Sequence, residues 1–117
     1  MINVWATWCG NCINEMPDLE TLNQDLEEHG CHIIGICGDT LGGDVTTIEE
    51  AKKILEENGV TYTNLVRTQE MADQIITNGY PTTYFVNSEG EILTNPVSGP
   101  NFELYHARLE EALASLE

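Results

Sequence analysis

The sequence predicts an α/β fold: one mixed sheet with helices on both faces. Three observations predict it. Short apolar runs alternate with amphipathic helical stretches early in the chain, the pattern of parallel strands joined by helical crossovers. Two later strand-like runs flank the turn sequence "SEG", the signal of an antiparallel hairpin. No repeat, linker or low-complexity tract interrupts the 117 residues, so the chain reads as a single domain, 1–117, long enough to bury its own core.

Residues 2–6, "INVWA", read as a short buried strand. Over 9–28, Cys12, Met16, Leu19, Leu22 and Leu26 form the apolar stripe of a helix whose other face is acidic. Pro17 interrupts that helix and Gly30 ends it. "CHIIGIC" (31–37) is a continuous apolar run, as expected of a strand covered on both faces. Regular alternation along it places Cys31 and Cys37 on one side, where both read as buried small hydrophobes.

Thr47 to Gly59 is the clearest helix, with Thr47 and Glu50 as a capping box and Ile48, Ala51, Ile54 and Leu55 on one face. "TYTNLV" (61–66) reads as a short strand, and Gln69–Asn78 as a small helix with Met71, Ala72, Ile75 and Ile76 inward. "TTYFVN" and "EILTN" supply the hairpin, and Phe102, Tyr105, Leu109, Ala112, Leu113 and Leu116 line a closing helix.

Charge narrows the function classes. Twenty acidic residues face four basic ones, a formal charge of −16, and no lysine or arginine precedes Lys52. Phosphate backbones and anionic lipid are repelled by such a surface, so no nucleic acid or membrane partner is expected for this segment. No apolar run is long enough to span a bilayer, and no signal-peptide pattern opens the sequence.

The chemistry is concentrated in "WCGNC", residues 8–12. Cys9 follows a strand and opens a helix, where unpaired N–H groups and the helix dipole favour a thiolate. A C-x-x-C in a βαβ setting reads as a redox pair.

"NVWATWCGNC", Glu15, Pro17, the late "GYPTTYFV" and "EGEI" together make the chain resemble the thioredoxin superfamily. It is most similar to the TlpA/ResA-like thiol–disulfide oxidoreductases, relatives of the AhpC/TSA redoxins. The similarity runs from Ile2 to about Leu113 and implies a thioredoxin-like three-layer α/β/α fold. It further implies that Cys9 is an exposed nucleophile and Cys12 a more buried resolving thiol, while Pro81 is a cis-proline opposite them. Trp8, Gly10, Asn11, Tyr80 and Pro81 would form the substrate-binding rim. Thioredoxins proper carry a buried aspartate where this chain has Asn3. The resemblance places a proton-shuttling glutamate at Glu15 instead, one helical turn beyond Cys12. Asn11, in place of a proline, would offer its N–H to the Cys9 sulfur and make the pair more oxidising than a Gly-Pro one.

The activity so implied is thiol–disulfide exchange, with protein disulfides as substrates and an upstream thiol as reductant. No cofactor is implied beyond the Cys9–Cys12 dithiol, and no metal. A zinc reading of His29, Cys31 and His32 fails because they lie at a helix–strand turn expected to be remote from Cys9. The rival enzyme is a thiol peroxidase, whose P-x-x-x-T-x-x-C pattern is lacking here, with Ile2 for the proline and Trp5–Ala6 at the threonine. A non-catalytic thioredoxin-like binding module is the third reading, weakened by the presence of both cysteines.

Family members carry strands before the one matching residues 2–6, whereas Met1 abuts it here. The family's N-terminal strand is therefore expected to be missing, together with any leader or anchor of an extracytoplasmic (periplasmic or cell-surface) protein. Residues 32–37 would then form an uncovered edge through which the domain self-associates.

Overall fold

A computed structural model describes residues 1–116. Eleven short segments follow one another. Strand β1 (Ile2–Trp5) leads into helices α1 (Gly10–Asn14) and α2 (Met16–Glu27), then β2 (Ile34–Cys37) and a 3₁₀ turn (Gly38–Thr40). Helix α3 (Val45–Glu57), β3 (Asn64–Val66), α4 (Gln69–Gln74), β4 (Thr82–Tyr84), β5 (Val97–Ser98) and α5 (Phe102–Ser115) complete the chain. The five strands form one sheet in the order β3-β2-β1-β4-β5. The first three run parallel, while β4 runs antiparallel to both its neighbours.

Crossover handedness sets the layers. The steps β1→β2 and β2→β3 travel the same way across the sheet, so right-handed crossovers put α2 and α3 on one face. Asn3, Trp5, Cys37 and Thr83 point to that face, as strand alternation and pairing require. The return from β3 to β4 puts α4 on the other, where the Tyr84 hydroxyl donates to the Ile76 carbonyl. The covered face holds two apolar clusters. One joins Leu19, Leu22 and Leu26 of α2 to Phe85, Val97 and Tyr105, and the other joins Trp5, Cys9, Cys12 and Met16 to Cys37 and Ala51.

Buried polar side chains tie these elements together. Asn23 of α2 accepts the Ile33 N–H at 2.8 Å and donates to Glu27 at 3.1 Å, which fixes the entry to β2. Glu20 accepts the Thr61 N–H at 2.6 Å and its hydroxyl at 2.7 Å, holding α2 against the approach to β3.

Several expectations are corrected. The 9–28 helix is two helices that break at Glu15, because Pro17 is accommodated in the first turn of a new helix, where its missing N–H has no intrahelical partner to lose. The strand at 31–37 covers only Ile34–Cys37, so Cys31 lies in the preceding turn, half-buried, and shares no strand face with Cys37. Helix α3 is capped by Asp44, which accepts the Thr46 and Thr47 N–H groups, not by a Thr47–Glu50 box. Helix α4 stops at Gln74 and leaves Ile76 65% exposed. The hairpin survives as a turn around Asn87–Glu91 with one bridge, Val86 to Ile92, while the strand that pairs with the free side of β4 is β5, through Thr82–Ser98 and Thr83–Val97.

The expected sheet edge is also elsewhere. β2 is flanked by β1 and β3, because the strand read at 61–66 docks parallel beside it through Gly35–Asn64, Ile36–Leu65 and Cys37–Val66 pairs. Residues 32–37 therefore offer no edge for self-association; the outer strands are β3 and β5.

Replacing Asn23 with Ala leaves the buried Ile33 N–H without an acceptor. A loss of about 1–3 kcal/mol in unfolding free energy is expected from urea denaturation. A loss below about 0.5 kcal/mol, within the range of ordinary surface substitutions, would show that the Asn23 contact does not hold this junction.

Candidate active site

The chain turns at the end of β1 through a Cys9 N–H to Ala6 carbonyl bond of 3.1 Å, and Cys9 becomes the N-cap of α1. Its sulfur accepts the Cys12 N–H at 3.2 Å. An N-cap side chain reaches the second or third helical amide, and Cys12 is the third residue of α1. The two cysteines are joined as a disulfide with their Cα atoms 5.3 Å apart. Cys9 is 7% exposed and Cys12 1%, so the expected order holds but the outer sulfur is largely covered. It belongs to the cluster formed with Trp5, Met16 and Cys37, against which Tyr80 also packs.

The expected Asn11 contact is not made. The amide that meets the Cys9 sulfur belongs to Cys12 and is available whatever residue stands at 11, which removes the stated reason for a more oxidising pair. Gly10 and Asn11 are exposed on the rim.

Glu15 occupies the junction between α1 and α2 and is only 5% exposed. Burial pushes its carboxyl up from 4.5 to about 7, although hydrogen bonds from Tyr105 and Asn3 pull the other way. The fully buried Tyr105 hydroxyl lies 2.9 Å from one Glu15 oxygen and 3.2 Å from the Gly99 carbonyl. That hydroxyl has one proton for two acceptors. An ionised Glu15 draws it, whereas a protonated Glu15 can donate to Tyr105 and free the phenol to donate to Gly99. Asn3 also donates to Thr83 at 3.1 Å, so its buried amide ties β1 to β4 beside Glu15.

A second network holds the loop in front of Cys9. Asp39, after β2, accepts the Thr7 N–H at 3.1 Å, the Thr7 hydroxyl, and the Cys37 thiol at 3.1 Å. These bonds outweigh partial burial and keep the Asp39 carboxyl below its ordinary value. Burial and the adjacent carboxylate push the Cys37 thiol up, which leaves it a protonated, unreactive neighbour of the disulfide.

The Tyr80–Pro81 peptide is cis. The Tyr80 ring lies over Gly38, where an added Cβ would fall 2.6 Å from ring carbons, so any other residue there would push the ring aside. Trp8, 71% exposed, meets Tyr80 edge-on with centroids 5.4 Å apart. Arg67 donates to the Tyr80 hydroxyl at 3.3 Å, so a cation does stand at the rim despite the acidic composition.

A cavity of about 500 Å³ lies elsewhere. It is lined by Met1, Cys31, His32, Phe85, Leu109 and Leu113, at the end of the sheet where β1 and β2 begin, whereas Cys9 lies beyond the end where β1 stops.

The structure brings Cys9, Cys12, Glu15, Trp8, Tyr80 and Pro81 to one end of the fold and adds Tyr105, Asp39 and Arg67, which the sequence reading did not single out. Tyr105 looked like one more apolar position of a helix stripe. Asp39 directly follows a strand end, where sites of open α/β sheets gather, and that signal was available.

Residues 1–94 match the AhpC/TSA family. The chain belongs to that family. Among curated relatives, the thiol-disulfide oxidoreductase ResA of Oceanobacillus iheyensis is 31% identical over 93 residues, 79% of this chain and 45% of the relative. The thiol:disulfide interchange protein HelX of Rhodobacter capsulatus is 33% identical over 102 residues, 86% of this chain and 52% of the relative. The chain thus spans about half the length of the curated relatives it matches. Its fold is shared with a Chlorobium tepidum structure named as a thiol:disulfide interchange protein DsbE, with a TM-score of 0.78 at 20% identity, covering 99% of this chain and 78% of that one. A thioredoxin-like fold in this redoxin chain is therefore established, with a mixed five-stranded sheet.

Because Glu15 titrates near 7 when folded against an ordinary 4.5, the folded state holds this proton more tightly than the unfolded chain. Its stabilising contribution is complete below about pH 4.5 and is lost as pH rises through about 7. Glu15→Gln, which stays neutral, should gain on the wild type from pH 5 to pH 8 in urea midpoint. A constant difference across that range would mean that Glu15 ionises normally.

Proposed function

We propose that this chain is a thiol–disulfide oxidoreductase that reduces protein disulfides. The observation that carries the reading is a Cys9–Cys12 disulfide at a strand-to-helix N-cap with a buried Glu15, near pKa 7, at the next helix junction. The names of the ResA and HelX relatives support it.

In the reduced chain, the Cys9 thiolate, favoured by the Cys12 N–H, attacks one sulfur of a substrate disulfide. A mixed disulfide forms and one substrate thiolate leaves. Glu15 accepts the Cys12 proton, and the Cys12 thiolate attacks the Cys9 sulfur, re-forming the intramolecular bond and releasing the second substrate thiolate. Two electrons pass from the Cys9–Cys12 dithiol to the substrate, and an upstream dithiol returns them. A carboxyl near pKa 7 is matched to this transfer at neutral pH, since it is part ionised to take a proton and part protonated to return one. Trp8, Gly10, Asn11 and Tyr80 form the rim on which the substrate chain lies, whereas Pro81, expected there, is buried and contributes through the cis bond that sets Tyr80. No cofactor beyond the dithiol enters the scheme.

An extracytoplasmic site of action belongs to this proposal and rests on the habit of the resembled branch. Among the described residues no helix is long and apolar enough to cross a membrane. The family also contains peroxidases, but Ala6 stands where their polarising threonine is expected, so disulfide exchange is preferred.

Two measurements test the reading. Cys12→Ser should accumulate a mixed disulfide through Cys9 that the wild type resolves, whereas Cys9→Ser should trap nothing. In single-turnover reduction of a disulfide peptide at pH 7, Glu15→Gln should slow the resolving step by about tenfold or more while leaving the first attack little changed. Consumption of hydrogen peroxide by Cys9 faster than disulfide exchange would replace this function with a peroxidase.

A further inference from the structure

The four basic side chains are placed unequally. Lys52 and Lys53 lie on α3 opposite Glu49 and Glu57 at 3.8 and 3.9 Å, and Arg108 meets Glu111 at 3.4 Å. Arg67 has no carboxylate within 4.0 Å among the described residues, although the chain holds 20 acids. It directly follows β3 and so emerges at the same end of the parallel strands as Cys9.

Its position is built. The Arg67 N–H donates to the Thr40 hydroxyl at 3.0 Å, and that hydroxyl donates to the Cys37 carbonyl at 2.6 Å. Nη1 donates to the Tyr80 hydroxyl at 3.3 Å, and Tyr80 meets Trp8 edge-on. Trp8, Tyr80 and Arg67 therefore form one continuous ledge, running from the residue before Cys9 to a braced cation. The other guanidinium N–H groups have no protein partner among the described residues. They form a planar fork suited to a carboxylate. In a chain with 20 acids and four basic residues, the ledge carries the one basic side chain that has no carboxylate within 4.0 Å among the described residues.

We infer that Arg67 determines specificity by binding a carboxylate side chain within two residues of the reacting cysteine of the substrate polypeptide, while Trp8 and Tyr80 hold the apolar part of the same segment. The inference rests on the disulfide-exchange function proposed above. The partner is thus an extended, disulfide-bonded chain with an acidic residue beside its cysteine.

The test uses the reduced protein and synthetic disulfide peptides identical except for Glu, Gln or Lys at positions within two residues of the cysteine. Rates are read by stopped-flow tryptophan fluorescence at 0.15 M salt, where distant charges are screened beyond about 8 Å. The wild type should rank Glu above Gln above Lys at one or more of these positions, with a Glu-to-Gln rate ratio of about three to ten, as a charge-assisted pair at a half-buried site gives. Arg67→Gln should bring that ratio to about one, Arg67→Lys should restore part of it, and Arg67→Glu should favour the Lys peptide. The ratio, not the absolute rate, is decisive, because loss of Tyr80 support alone slows all three peptides together. Equal wild-type rates, or a ratio unchanged in Arg67→Gln, overturns the inference and leaves the oxidoreductase intact. A folded wild type that reacts with no peptide overturns the oxidoreductase reading and this inference with it.

Discussion

The site depends on one junction, where a strand ends and Cys9 takes the N-cap of the next helix. An N-cap residue keeps extended backbone while its side chain turns back onto the helix's first free amides. Here the side chain is a sulfur, and the Cys12 amide donates to it. The same geometry sets the rest of the array. Three residues on, Cys12 falls on the buried side of the first turn, and the helix then breaks where Pro17 requires a new first turn. Glu15 sits in that break, against Tyr105 of α5.

The electrostatics follow from depth more than from composition. Twenty acids give the chain its net charge, yet the two carboxylates of the site behave oppositely. Glu15 is pushed up because few donors offset its burial, whereas Asp39, held by Thr7 and Cys37, is pulled down. The first can therefore carry a proton near neutrality, and the second remains an anchor for the loop that presents Cys9. Cys37 belongs with the anchor. Its buried thiol donates to Asp39 and stays protonated, which separates it chemically from a disulfide that shares its apolar cluster.

Topology collects these groups. The three parallel strands end together, so the segments after β1, β2 and β3 deliver Thr7 to Cys9, Gly38 to Thr40, and Arg67 to one edge of the domain. The Tyr80–Pro81 segment then enters the antiparallel strand β4 from the same side, with Gly38 leaving room for the tyrosine ring. Helix α5 reaches across from the far end of the sequence to place Tyr105 under Glu15. Five separated stretches thus meet at this end of the fold.

The sequence by itself determined the order of the elements and the placing of Cys9 and Cys12 where a strand gives way to a helix, because each of these is local. A stripe of leucines, a C-x-x-C after a strand, and an acid one turn further on are patterns within a dozen residues. Element ends were less legible: the true cap of α3 was Asp44, and Cys31 fell outside its strand, since short-range pattern does not register which amides find tertiary partners. The edge assigned to residues 32–37 was displaced for a like reason, as strand order depends on which distant segment docks beside β2. Only the tertiary structure decided that Tyr105 holds Glu15, that Asp39 anchors Thr7, and that Arg67 braces Tyr80. Those contacts span 90, 32 and 13 residues. A hydrogen bond across such a separation leaves no period in the chain, and the perturbed carboxyl it produces is a property of burial, which exists only once the helices have closed over it.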